Sequence, residues 1–101
     1  MNQATESVET KTKEKIIAII SALVPQAKIY LFGSRARKTH SRSSDIDIAI
    51  DAGKLLPRRD VDELVSIFSA TNILERIDVV DMHQIPQEMR DAIIQEGILW
   101  K

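Results

Sequence analysis

Between Asp45 and Asp51 the chain reads Asp-Ile-Asp-Ile-Ala-Ile-Asp, a strict period of two. Only an extended strand puts alternate residues on opposite faces, so Ile46, Ile48 and Ile50 must face a core and Asp45, Asp47, Ala49 and Asp51 must face away from it. Slipping the strand by one residue would expose three isoleucines, at roughly 1.5–3 kcal/mol each. A loss of that size rivals the entire stability of a small domain, about 5–15 kcal/mol. The alternation therefore commits the chain to a sheet covered on one side, with carboxylates on the other.

Other segments supply the rest of the sheet and its cover. Lys28-Ile-Tyr-Leu-Phe32 is a short apolar run ending at Gly33, and Ile77-Asp-Val-Val-Asp81 has the same character, so both read as strands. Ile16, Ile20, Leu23 and Val24 recur at helical spacing until Pro25 ends the pattern. Val61, Leu64, Val65 and Phe68 form a second stripe, preceded by Asp60 and Glu63 in the arrangement of a capping box. A third helix is expected from about Pro86 to Gly97, with Met89, Ala92 and Ile93 on one side, and Ile98 to Lys101 can add a short final strand. The expected fold is α+β, a small mixed β-sheet with helices packed on one face. Residues 1–11 are polar without apolar period and read as a flexible tail; residues 12–101 read as one domain.

Composition narrows the function classes. The chain has 101 residues and no cysteine, which excludes disulfides, zinc-thiolate sites and a cysteine nucleophile. No apolar run reaches the roughly 20 residues of a membrane span, and Met1 to Lys15 lacks the apolar block of a secretory signal, so a cytoplasmic protein without membrane contact is expected. Fourteen basic and 15 acidic residues give a net charge of −1, and aromatics make up 4%. Neither supports direct nucleic-acid binding through bulk charge or a stacking platform. Trp100 and Phe68 accordingly read as packing residues.

The near-neutral total hides a sharp asymmetry. Lys28 to Ser44 carries five bases (Lys28, Arg35, Arg37, Lys38 and Arg42) and no acid, whereas Asp45 to Asp51 carries three aspartates and no base. Asp45 and Asp47 project from one face of a strand about 6.5–7 Å apart by strand rise. Like charges at that spacing call for a cation with oxygen preference, such as Mg²⁺. Asp78 is a third candidate ligand if its strand lies alongside. Asp81 competes for that role but would point with Ile77 and Val79 towards the helices. Gly33 and Ser34 combine close backbone approach, free N–H groups and a hydroxyl, a seat for phosphate oxygens. Arg35, Arg37, Lys38 and Arg42 surround that seat with positive charge. His40 and His83 have no partner at metal or triad spacing and read as incidental.

The stretch Leu31-Phe-Gly-Ser-Arg-Ala-Arg-Lys-Thr-His-Ser-Arg-Ser-Ser-Asp-Ile-Asp-Ile48, followed by Ile77-Asp-Val-Val-Asp-Met82, resembles the minimal nucleotidyltransferase (MNT) family of the DNA-polymerase-β-like nucleotidyltransferase superfamily. The similarity spans essentially residues 13 to 101: Gly-Ser, about ten residues, Asp-x-Asp, then an aspartate on a later strand. One departure is Lys38, where many members have glycine.

The resemblance implies a polymerase-β-like fold and a Mg²⁺-dependent transfer of a nucleotidyl group from a nucleoside triphosphate. Asp45, Asp47 and Asp78 would be the catalytic and metal-binding residues, with two Mg²⁺ ions. Gly33, Ser34, Arg35 and Arg37 would hold the nucleotide, with Ser34 at the β- and γ-phosphates. Asp78 would act either as general base or as ligand to the metal that lowers the acceptor hydroxyl's pKa. Small members pair with a helical HEPN protein and add AMP from ATP to it, which makes this chain an expected protein adenylyltransferase and antitoxin. The alternative is a non-catalytic antitoxin or nucleotide-binding subunit that works by contact with its helical partner. Larger superfamily members carry an acceptor-binding domain for which this chain has no room, so a partner is expected.

Overall fold

A computed structural model of the chain describes residues 7–41 and 43–101. Residues 1–6 and Arg42 lie outside them, and with them most of the expected tail. Of the remainder, Val8 is buried in the core and helix α1 already starts at Thr10, so the ordered domain begins earlier than the apolar period indicates.

The element order is α1 (Thr10–Leu23), β1 (Lys28–Phe32), α2 (Gly33–Arg37), β2 (Ile46–Asp51), α3 (Arg58–Ala70), β3 (Ile77–Asp81), α4 (Gln87–Glu96) and β4 (Ile98–Leu99). The four strands form one mixed sheet in the order β3-β2-β1-β4. Strand β2 is central, antiparallel to β1 and parallel to β3.

Ile46, Ile48 and Ile50 are fully buried, as the alternation requires, together with Ile16, Ile20, Ile29, Leu31 and Leu64. These residues form one cluster joining α1 and α3 to the sheet, with Ala36 of α2 packed against it. Helix α4 departs from the expected one-sided arrangement. Its Ile93 packs with Ala49, Met82, Tyr30, Phe32 and Val80 on the opposite face. Only Ile93 of its stripe is buried; Met89 is exposed.

Two local expectations also change. The segment after Gly33 opens as a five-residue helix before becoming a loop. Helix α3 starts at Arg58 with Pro57 at its N-cap and no side-chain cap, so Asp60 sits in the first turn, where its charge faces the helix dipole, and is not the cap of a box. None of the helices among the described residues is long and apolar enough to cross a membrane.

Candidate active site

Strand register assembles the site. Phe32 at the end of β1 pairs with Asp47, and Asp47 pairs in turn with Asp78 on the parallel β3. Directly paired residues share a sheet face. Moving laterally across the sheet, the order is therefore the β1 end with Gly33, then Asp47, then Asp78. On the same face α4 covers the layer of Tyr30, Ala49 and Val80, leaving the aspartate end half-exposed.

Gly33 is the tightest point of contact. Its φ of +74° lies in the left-handed region that L residues avoid. A methyl group added there would overlap Oδ2 of Asp47 and stand 3.0 Å from its Cγ. Glycine is thus required twice over, for the turn out of β1 and for room beside a carboxylate. Helix α2 then ends at Lys38, which adopts φ 61°, ψ 32° while its N–H donates to the Ser34 and Arg35 carbonyls. The left-handed cap is conventional glycine geometry, carried here by a lysine.

Burial, followed by the negative charges of Asp78 and Asp45, raises the Asp47 carboxyl above its ordinary pKa, and the nearby Arg37 guanidinium pulls it the other way. Asp47 thus feels the negative charge of both other aspartates. Among the described residues, no three such side chains are already drawn into a metal cage. Asp78 instead pairs with Arg76, Nε to Oδ1 at 3.2 Å.

The other expected residues divide. Ser34 is half-buried at the start of α2, its carbonyl accepting the Thr39 N–H at 2.9 Å. Arg37 is exposed and close enough to act on Asp47. Arg35, expected at the nucleotide, is drawn into the protein. It is 5% exposed and turned inwards, where Nε and Nη2 donate to the Ser44 carbonyl at 3.3 and 2.9 Å and Nη1 to the Ser7 carbonyl at 2.7 Å. No sequence pattern could have announced these bonds, because their acceptors are backbone oxygens.

Asp81 takes the structural role its strand position indicates. It is buried, and its carboxylate accepts the Leu56 and His83 N–H groups at 2.8 and 2.9 Å. His83 has a partner after all: Nε2 lies 2.9 Å from Oδ1 of Asp51. His40 lines a groove of about 760 Å³ beside Asp45, together with Arg35, Ser41, Ser43 and Arg76. Its Nδ1 is buried and has no hydrogen-bond partner among the described residues. The cleft next to Gly33, between Arg37 and α4, is only about 110 Å³. Small-molecule sites are usually several times that volume, so this cleft alone is too small to enclose one.

Comparison with known proteins agrees with this fold. A family model described as polymerase beta, nucleotidyltransferase, matches residues 14–100. The probable protein adenylyltransferase MntA of Haemophilus influenzae is 30% identical over 88 residues, covering 85% of this chain and 77% of that protein. The protein adenylyltransferase MntA of Shewanella oneidensis is 31% identical over 86 residues, covering 84% of this chain and 61% of that one. Among solved structures, a chain of a toxin-antitoxin crystallised with AMP-PNP superimposes with a TM-score of 0.75 at 30% identity, covering 86% of this chain and 70% of that chain. A chain from the complex of tri-AMPylated Shewanella oneidensis HEPN toxin with MNT antitoxin gives 0.72 at 25% identity, covering 91% and 71%.

Proposed function

From the premise that this chain belongs to the polymerase beta nucleotidyltransferase family, we propose that it is a protein adenylyltransferase that moves AMP from ATP to a hydroxyl of a helical HEPN-type partner and acts as that partner's antitoxin. One observation carries the reading: Asp47 pairs in register with Asp78 on one side, and on the other the left-handed Gly33 packs against its carboxylate. Simple contact with a partner would not need a glycine pressed against a carboxylate that its neighbours already repel.

In the reaction, the acceptor oxygen bonds to the α-phosphorus, the bond from that phosphorus to the bridging oxygen breaks, and pyrophosphate leaves with its electron pair. Asp45, Asp47 and Asp78 would hold Mg²⁺, which supplies charge stabilisation at the α-phosphate and at the leaving pyrophosphate. Ser34, with its hydroxyl and adjacent N–H groups, receives the β- and γ-phosphates. Arg37, exposed beside Asp47, offsets their charge. Asp78 lies on the far side of Asp47 from Gly33, the side from which an acceptor must approach for in-line displacement. There it orients the acceptor hydroxyl and stands within reach of the proton that it loses. The half-exposed aspartate face leaves the acceptor side to be completed by the partner. A cytoplasmic setting supplies ATP, Mg²⁺ and that partner together.

Genetic protection tests the reading. Cells expressing the partner should be rescued by wild-type chain and not by the folded Asp45→Asn, Asp47→Asn double variant. Equal rescue by the double variant would favour antitoxin action through contact alone.

A further inference from the structure

We propose that Arg35 is a positioning residue for Asp45, a role that rests on Asp45 being a metal-holding carboxylate. Asp47 is gripped from both sides by the β1 and β3 ladders, whereas Asp45 lies just outside the sheet, one residue before β2 begins at Ile46. The first ladder-side bond in this region is the Ile46 N–H to the Arg76 carbonyl at 2.9 Å. That bond fixes the peptide unit on the C-terminal side of Asp45, so the freedom left to Asp45 lies on the side of the residue before it.

That residue is Ser44, and Arg35 holds its carbonyl with two donors, Nε and Nη2. The Ser44 carbonyl and the Asp45 N–H belong to one planar peptide unit, so fixing the oxygen fixes the plane from which Asp45 departs. A further bond, from Nη1 to the Ser7 carbonyl, ties the same guanidinium to the segment preceding α1. Burying a guanidinium to 5% exposure is costly unless its donors are satisfied, and the Ser44 and Ser7 carbonyls take three of its bonds.

The arrangement links the two halves of the site. Arg35 sits between Ser34 and Arg37 on α2, a helix of five residues that is too short to hold its own orientation. Through Ser44 it joins this phosphate-side element to the first aspartate. Among the described residues the intervening segment is braced by short-range bonds, among them the Thr39 N–H to the Ser34 carbonyl at 2.9 Å, the Ser41 N–H to Ser44 Oγ at 2.9 Å and the Ser44 N–H to the Ser41 carbonyl at 3.2 Å. A lysine could supply charge to Ser44 but not the planar fork that grips one oxygen twice.

The test compares wild type with Arg35→Lys and Arg35→Met in the full-length chain. Amide hydrogen exchange without ligand should quicken about tenfold or more at residues 43–46, least in the lysine variant, while the amides of β1 and central β2 keep their wild-type rates. Mn²⁺ titrated in the presence of a non-hydrolysable ATP analogue should bind about tenfold more weakly to the variants. Unchanged exchange at 43–46, or a uniform rise across the sheet, overturns the proposal, as does wild-type Mn²⁺ affinity in variants whose exchange is loosened. If Arg35→Met does not fold, Arg35→Lys decides the matter on the same readouts. Failure of wild type to bind Mn²⁺ with the analogue would overturn the metal-holding reading of Asp45 and this role with it, whereas local exchange would still separate a purely structural clamp from no clamp.

Discussion

Replacing Gly33 with alanine should damage the fold and the site through one identifiable contact. The left-handed φ of +74° costs an L residue roughly 1–2 kcal/mol. The new methyl must also displace the Asp47 carboxylate, since it would overlap Oδ2 and lie 3.0 Å from Cγ. Overpacking of this kind costs about 1–3 kcal/mol. A stiffer unfolded chain returns about 0.4–1 kcal/mol, leaving a net loss of roughly 2–4 kcal/mol. In an Asp47→Ala background the two clashing atoms are gone and only the Cβ at 3.3 Å remains, so the backbone term alone should persist. Urea denaturation of the four proteins closes the cycle. The double variant should be more stable than the sum of the single losses predicts, by about 1–3 kcal/mol. Additivity within about 0.5 kcal/mol would refute the placement of Gly33 against Asp47.

Other expected outcomes follow from the same neighbourhood. Lys38→Gly removes a left-handed strain at the end of α2 and should stabilise the chain by about 0.5–1 kcal/mol, seen as a Tm several degrees higher; Lys38→Ala, which keeps Cβ, should not reproduce the gain. Asp47→Asn should raise the Tm of the ligand-free protein at neutral pH. Because the folded-state pKa of Asp47 is raised, its favourable contribution is present below the ordinary carboxylate range and is lost as pH rises through the raised value. The advantage of Asn should therefore shrink on acidification, and a constant advantage across pH would contradict the electrostatic origin. Asp51, whose pKa is lowered chiefly by the Gly53 N–H and also by His83, has the opposite sign: its stabilisation is present above the ordinary carboxylate range and is lost as pH falls through the lowered value. His83→Ala, which removes a pair about one-third exposed, should cost no more than about 1 kcal/mol in thermal denaturation.

Much of this architecture is legible in the chain because side-chain period and strand geometry are the same thing. The isoleucines of β2 fix its faces, and the parallel neighbour brings Asp78 level with Asp47. What escaped has physical reasons too. A five-residue helix such as α2 is shorter than two turns and leaves no period to detect. The stripe on α4 marks a buried side without saying which sheet face receives it, so Ile93 could not reveal that it covers Ala49. Thr10 to Lys15 carries no apolar repeat, although the backbone is helical there. Arg35 looked like a phosphate ligand because its charge is visible in the chain, whereas its acceptors, the carbonyls of Ser44 and Ser7, belong to every residue alike.

The central claim is adenylyl transfer through the aspartate face. Its most direct test is a pair of reactions containing this chain, Mg²⁺ and the protein encoded beside it, one with α-labelled and one with γ-labelled ATP. The account predicts label on the partner from the α position only, abolished by Asp45→Asn with Asp47→Asn. Label from the γ position, or α label that survives in the double variant, would contradict it.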